Sequence, residues 1–327
     1  MDTKRKSAPA SIPWQERPKG SNEILWRFSG NPLTDYDEFP GAHLICNSAV
    51  IRRDGAFTGV FRVDGDNGLP HLYLGKSKDG IKWKFDQKPI VIRDPENPHK
   101  GLTACGYDPR VVKLEGENRH IIMWCNEYHG PTIGLAETTD FKTFKPLENA
   151  FLPYNRNGVL FPRKIRGNYA MLSRPSDTGH TPFGDIFYSE SPDLEFWGRH
   201  RHVMSRGPVW WKGLKVGPGP IPIETKDGWL MIYHGVCNTC NGFVYRMSAA
   251  LLDLDEPWKM LHCAEDFFFG PKALYETTGF VPNVTFPVAT VLDDDGERLA
   301  LYYGSADTRV ALAFGYLSEI VEFAKAR

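Results

Sequence analysis

Residues 105–110 read CGYDPR, an aspartate between a tyrosine and a proline at the entrance of the strand-like run RVVKL. The proline removes one backbone donor and disfavours helical backbone at the residue before it. Asp108 is therefore expected in an extended conformation at a strand entrance, where its side chain can reach a cleft. A carboxylate placed in this way suits proton transfer. A turn aspartate bonded to its own backbone is the plainer alternative. Basic groups gather in the middle of the chain: Arg156 in YNRNGVLFPRK, Arg174 in MLSRPSD, Lys215 in GLKVGPGP and His234 in IYHGV. A guanidinium matches phosphate oxygens as a planar fork and an ammonium as a compact charge, so these residues point to an anion site. Arg156 sits between asparagines beside a glycine, as in a shaped turn, whereas Arg163 and Lys164 read as surface or ion-pair residues.

The elements that position these groups are short strands. HLICNSAVI, AFTGVFRV, HLYLGKS, HIIMWCN, YAMLSRP, IFYSES, WLMIYHGV and RLALYYGS are separated by turn signals, and LSEIVEFAKAR alone has convincing helical spacing. The 31 glycines and 25 prolines serve the many turns of an all-β chain. Internal repeats then decide the architecture. A polar turn followed by an aromatic recurs in GKSKDGIKW, AETTDFKTF, SESPDLEFW and LLDLDEPW, around Asp79, Asp140, Asp193 and Asp255. A small turn feeding an apolar strand occurs five times, in DGAFTGVFR, EGENRHIIMWCN, RGNYAMLSR, DGWLMIYH and DGERLALYYGSAD. A third unit precedes each of those turns: NSAVI, DPRVV, FPRKI, IPI and FPVAT. Recurrence at roughly 60 residues predicts a five-bladed β-propeller, with residues 1–20 as an N-terminal arm and 21–327 as one catalytic domain.

Matching strand ends of a propeller gather round its axis. Arg62, Asn126, Arg174, His234 and Asp307 are expected to converge there, with Asn47 and Asp108 from the third unit. Burying such groups unpaired costs several kcal/mol, so a polar axial funnel is the economical account.

Composition narrows the partners. The 327 residues are 41% hydrophobic and 24% charged with a net charge of −1, which argues against nucleic acid or a membrane surface. No run approaches the roughly 20 apolar residues of a membrane span, so a soluble, cytoplasmic protein is expected. The six cysteines are scattered through strand-like segments, as in a reducing compartment. Cys237 and Cys240 form a CxxC without a second ligand pair, so no metal site is expected.

Taken together, ENAFLPYNRNGVLFPRK, MLSRPSDTGHTPFGDIFYSESPDLEFWGRHRHVM, CGYDPRVV, YHGPTIG and LLDLDEPWK closely resemble the β-mannoside phosphorylases of glycoside hydrolase family 130. The branch most resembled acts on β-1,4-mannosyl-N-acetylglucosamine and mannooligosaccharides. The resemblance runs from about Ile12 to Phe323 and implies a five-bladed propeller. It implies that Asp108 is the single catalytic acid, protonating the glycosidic oxygen through the 3-hydroxyl of the mannosyl unit. It further implies that Arg156, Asn157, Arg174, Lys215, His234 and Tyr245 bind inorganic phosphate, a co-substrate, with no cofactor. Asn47, Ser48, Arg62, Asp64 and Asp307 match positions that hold the mannosyl unit, and Tyr107 and His180 lie toward the departing sugar. The implied products are α-mannose 1-phosphate, formed with inversion, and the shortened sugar. Homo-oligomers are expected on the same ground.

One carboxylate is enough for that reaction. An inverting hydrolase needs an acid and a separate base for water, whereas phosphate is already an anionic nucleophile. Two rival readings remain open. A hydrolase on the same propeller would draft Asp64 or Asp307 as base, and a non-catalytic sugar-binding propeller would use Trp210, Trp211 and Phe183 as stacking platforms. N-acetylglucosamine is the first expectation for the leaving sugar, with mannose and glucose behind it, and the loop VMSRGPVWWKGLKVG is the segment expected to set that choice.

Overall fold

The computed structural model describes residues 11–97, 99–102, 105–177 and 183–326. Among these, the strands form five antiparallel sheets. A short strand β1 (Leu25–Arg27) precedes the first sheet, which comprises β2 (Ala42–Arg53), β3 (Ala56–Gly65), β4 (Pro70–Ser77) and β5 (Lys84–Phe85). The second sheet is β6 (Gly106–Lys113), β7 (His120–Glu127), β8 (Pro131–Thr138) and β9 (Lys145–Pro146). The third is β10 (Asn155–Leu160), β11 (Tyr169–Pro175), β12 (Ile186–Ser191) and β13 (Gly198–Met204). In the fourth, β14 (Lys215–Pro218) and β15 (Ile223–Thr225) both pair with β16 (Gly228–Thr239), and β17 (Gly242–Leu252) and β18 (Met260–Cys263) follow. The fifth contains β19 (Thr285–Leu292), β20 (Arg298–Ser305) and β21 (Arg309–Tyr316), and β1 returns to pair with β21. The first strand of the chain thus closes the ring on its last blade. This is the five-bladed β-propeller that the repeats predict.

The second strand of each blade is buried on both faces because blades pack face to face. Seven of the eight residues of β7 and all eight of β20 are buried, which explains why HIIMWCN and RLALYYGS read as continuous apolar runs without alternation. Interblade cores form around Trp26, Phe61, Tyr302 and Phe314, and around Phe161, Tyr188, Trp211 and Trp229. Two short helices, α1 (Leu274–Thr277) and α2 (Leu317–Lys325), complete the chain. The second buries Ile320, Val321 and Ala324 against Leu25, Leu251 and Phe269. Part of the expected arm, residues 1–10, lies outside the described residues. Beyond it, Trp14 packs edge-on against Trp26 at 5.4 Å, and Arg17 pairs with Glu319 of α2.

Several expectations about the repeat need correcting. The innermost strand of the third blade is NRNGVL rather than FPRKI, which begins as β10 ends. That of the fourth blade is split, KVGP leading and IPI ending at the start of β15. The fourth polar turn is built on Asp253, whose Oδ1 accepts the backbone N–H groups of Asp255 and Glu256, as Asp79 Oδ1 accepts those of Ile81 and Lys82. Asp255 is two residues late. Trp211 is fully buried in the core with its Nε1 donating to Glu265 O, so it is no exposed platform; Trp210 is exposed, with the Arg246 guanidinium 4.8 Å over its ring. Arg163 and Lys164 behave as expected. Arg163 pairs with Glu224, and the Lys164 ammonium lies 4.3 Å over Tyr169.

Candidate active site

Three innermost strands carry the same irregularity at the same place. The ladder slips between Cys46 and Ser48 in β2, between Tyr107 and Arg110 in β6, and between Arg156 and Val159 in β10. Inside each slip sits a residue with left-handed backbone: Asn47 at φ 46°, Asp108 at 52° and Asn157 at 55°. Asparagine and aspartate tolerate that region better than other side-chain-bearing residues, and a bulge turns the side chain away from the regular pleat. Asp108 is therefore not in extended backbone. The following proline disfavours right-handed helical backbone, and Asp108 takes the left-handed bulge instead of a regular strand entrance.

The first group of side chains surrounds Asp108. Asn47 Nδ2 donates to Asp108 Oδ1 at 2.6 Å. Arg62 grips Asp64 with two hydrogen bonds of 2.8 Å each, while its remaining nitrogen lies 3.7 Å from Asp108 Oδ1 and 3.5 Å from Asp307 Oδ2. One guanidinium thus holds three carboxylates. Asp307 arrives through a tight turn in which it and Ala306 both have positive φ, 48° and 49°, closed by Thr308 N–H donating to Ser305 O. Two side-chain-bearing residues in that region store strain, as functional loops often do. Burial pushes the Asp307 carboxyl up to about 6, with Arg62 opposing and Asp108 and Asp64 adding to the rise.

The second group is cationic. Arg156 and Arg174 face each other across β10 and β11, and among the described residues Arg156, Arg174 and Lys215 have no carboxylate ion-pair partner. Arg174 Nε donates to Ser176 Oγ at 2.9 Å and its terminal nitrogen meets His234 Nε2 at 3.0 Å. A guanidinium only donates, so His234 Nε2 must accept and the ring proton sits on Nδ1. Among the described residues that buried nitrogen has no hydrogen-bond partner. Burial, and then Arg174 and Lys215, hold the imidazole well below its usual range, so it is neutral. Lys215 lies 5.4 Å over the Tyr245 ring and 5.1 Å over Phe243; burial, with Arg174 and Arg156 adding, brings its ammonium down to about 7. Tyr245 in turn stacks on His234 at 5.7 Å. Gly217 makes this packing possible, because a Cβ there would lie 2.6 Å from the His234 ring and 2.7 Å from Arg174.

Tyr107 stands between the two groups. Its hydroxyl donates to Glu127 at 3.1 Å, Arg62 lies 5.7 Å over its ring, and Arg156 interacts with the same hydroxyl. Among the described residues, Asn47 Oδ1, Ser48 Oγ and Asn157 Oδ1 are buried without hydrogen-bond partners, an arrangement that globular interiors seldom tolerate outside ligand sites. Asn126 differs from its expected companions, since its amide nitrogen donates to Gly101 O and Asn149 Oδ1 and so ties loops together. His180 lies outside the described residues.

Reading the sequence missed Arg110, the last residue of CGYDPR. It is 1% exposed, and its guanidinium donates to the carbonyls of Gly219, Asp108, Pro109 and Pro287, drawn from three blades. Burial lowers it to about 10, so it stays charged at neutral pH and pins the Asp108 bulge at the axis. A charged residue opening an apolar strand was the available signal. Ser176 gave none.

Among the described residues there is no group of three or more side chains able to hold a metal ion, and no helix is long and apolar enough to cross a membrane. Residues 4–326 match the family model described as beta-1,4-mannooligosaccharide phosphorylase, glycoside hydrolase family 130. The chain is 51% identical over 322 residues to the beta-1,4-mannooligosaccharide phosphorylase of Ruminococcus albus, covering 96% of this chain and 95% of that protein. It is 28% identical to the 4-O-beta-D-mannosyl-D-glucose phosphorylase of Bacteroides fragilis, covering 92% and 80% respectively. The solved beta-1,2-mannobiose phosphorylase of Listeria innocua, in complex with beta-1,2-mannobiose, superposes with a TM-score of 0.81 at 27% identity, over 93% of this chain and 99% of that one. The chain belongs to glycoside hydrolase family 130.

Proposed function

We propose that the protein cleaves β-1,4-mannosides with inorganic phosphate, releasing α-mannose 1-phosphate with inversion and leaving a shortened mannooligosaccharide. The observation that carries this reading is the separation of charge. Among the described residues, three cations converge without a carboxylate ion-pair partner beside a neutral His234, while Asp64, Asp108 and Asp307 are held around Arg62. Burial, and then neighbouring cations, lower the proton affinity of Arg174 and Lys215, and such a cluster gains most from an anion of two charges.

In this reading the mannosyl unit lies among Asn47, Ser48, Arg62, Asp64 and Asp307, and Asp108 delivers the proton to the departing oxygen through the sugar's 3-hydroxyl. Phosphate, oriented by Arg156, Asn157, Arg174, Lys215, His234 and Tyr245, attacks the anomeric carbon from the opposite side. Catalysis is then positioning plus charge complementarity, with no base required. Hydrolysis fits less well because Asp64 is committed to a bidentate pair with Arg62 and Asp307 shares that guanidinium. The 51% identity to a mannooligosaccharide phosphorylase favours mannose over N-acetylglucosamine as the leaving unit.

The test is product analysis of β-1,4-mannobiose incubated with and without phosphate. Sugar 1-phosphate and mannose in the phosphate tube alone support the reading. Equal release of mannose in both tubes means a hydrolase.

A further inference from the structure

Asp307 reaches the site from the connection between β20 and β21, where Ser305 pairs with Arg309 and where Ala306 and Asp307 are both left-handed. Residues with a Cβ keep such backbone only where the surrounding contacts over-determine it. Thr308 supplies those contacts. It is fully buried, and its backbone N–H donates to Ser305 O at 3.0 Å. Its hydroxyl works in both directions, Oγ1 donating to Ala306 O and accepting the Phe280 N–H, at 2.8 Å each. That second bond clamps another length of chain to the turn, and the backbone continues the clamp: Val281 N–H donates to Ala306 O, and Ala306 N–H to Val284 O, at 3.0 Å each. Gly279 permits the close approach, since a Cβ there would lie 2.4 Å from Thr308 Oγ1 and 2.7 Å from Ala306 Cβ. Farther along, the same segment is tied to the opposite side of the site by separate bonds. Asn283 O accepts the Tyr245 N–H and Thr285 Oγ1 donates to Tyr245 O, at 3.0 Å each.

We propose that Thr308 is a positioning residue for mannosyl recognition, its hydroxyl locking the Asp307 turn against residues 279–284 so that the carboxylate stays 3.5 Å from the Arg62 guanidinium. The inference rests on the reading above in which Asp307 holds the mannosyl unit. Valine has nearly the same shape but leaves the Phe280 N–H without its acceptor and takes one donor from Ala306 O, so the turn loses a bond to its neighbour. Serine keeps both bonds. Tyr245 is fixed through Asn283 and Thr285, so the loosening is confined to the sugar side.

The experiment compares Thr308→Val and Thr308→Ser with the native protein, varying β-1,4-mannobiose and phosphate in turn and recording thermal melts alongside. Thr308→Val is expected to lower kcat/KM for mannobiose about 10-fold or more while the KM for phosphate stays within about twofold, and Thr308→Ser to keep most of the native value. A purely structural threonine would shift the melt without separating the two substrates. Equal losses for both substrates, an unchanged kcat/KM in Thr308→Val, or a loss that Thr308→Ser shares overturns the proposal. If Thr308→Val does not fold, Gly279→Ala presses the same contact from the other side, with the same split expected and equal losses again overturning it. Calorimetric binding of mannobiose without phosphate separates this proposal from the phosphorylase reading. If phosphate supports no turnover, that reading fails, and binding weakened in Thr308→Val and restored in Thr308→Ser still supports the positioning role. Equal binding by all three proteins, or none by the native protein, overturns it.

Discussion

Asn47 and Asp108 occupy equivalent bulges on neighbouring blades, and the amide of the first donates to the carboxylate of the second at 2.6 Å. The bond orients Asp108 Oδ1 from a strand whose own position is fixed by the adjoining fifth blade. Gly304 of that blade leaves room for it, since a Cβ there would lie 1.6 Å from Asn47 Oδ1.

Gly304→Ala is therefore expected to displace Asn47 and misalign Asp108. Misplacements near 1 Å cost on the order of 100-fold in rate, so kcat for mannobiose should fall by about that factor while the KM for phosphate changes little. Steady-state kinetics with each substrate varied in turn checks this, and a fall confined to phosphate affinity contradicts it.

Arg174→Ala removes a guanidinium that is buried, aligned by Ser176 and joined to His234. Charge-assisted hydrogen bonds contribute about 1.5–3 kcal/mol, so the KM for phosphate should rise about 10- to 100-fold. Initial rates across a phosphate titration measure it. Unchanged phosphate dependence removes Arg174 from the anion site.

The pH dependence of phosphate binding follows from Lys215. Its ammonium is lowered to about 7, so the free site loses a positive charge as pH rises through neutrality. Phosphate affinity should weaken between pH 6 and pH 8.5, and Lys215→Met should bind weakly at both with a flatter profile. Phosphate's own titration is common to both proteins and cancels in their ratio. Parallel profiles for the two proteins count against Lys215 as a ligand.

Asp307 gives a stability prediction with a definite sign. Its folded-state pKa, about 6, lies above the ordinary 3.8, so the folded protein binds more protons than the unfolded chain between those values. That contribution is fully present below about pH 3.8 and is lost as pH rises through about 6. Asp307→Asn should therefore raise Tm relative to the native protein at pH 7.5 and gain progressively less as pH falls toward 4. Thermal melts at several pH values decide it.

The blades were legible because their second strands are buried on both faces and follow small turns, which leaves continuous apolar runs at a regular interval. The residues drawn to the axis were legible as polar groups ending those runs: Arg62, Arg174, His234 and Asp307. The bulges were not. A left-handed Asn47, Asp108 or Asn157 looks in sequence like any turn residue, and the ladder slip depends on pairing with the next strand. The displacement of the inner strand from FPRKI to NRNGVL has the same origin, since a bulged strand has no hydrophobic period to follow. Arg110 was hidden for a different reason. Its partners are backbone carbonyls of three blades, and carbonyls carry no sequence signal.

The central claim, that Asp108 supplies the proton to the leaving sugar, is tested most directly by one ratio in Asp108→Asn. The variant keeps the shape and an oxygen for Asn47 but has no proton to give. Positioned acid catalysis contributes about 100- to 10,000-fold, so kcat on β-1,4-mannobiose should fall by at least that range. An activated aryl β-mannoside, whose phenolate leaves with little protonation, should lose far less. A large ratio between the two losses is the predicted result. Equal losses on both substrates, or retention of more than about a tenth of the mannobiose rate, contradict it and move the acid role to Asp64 or Asp307.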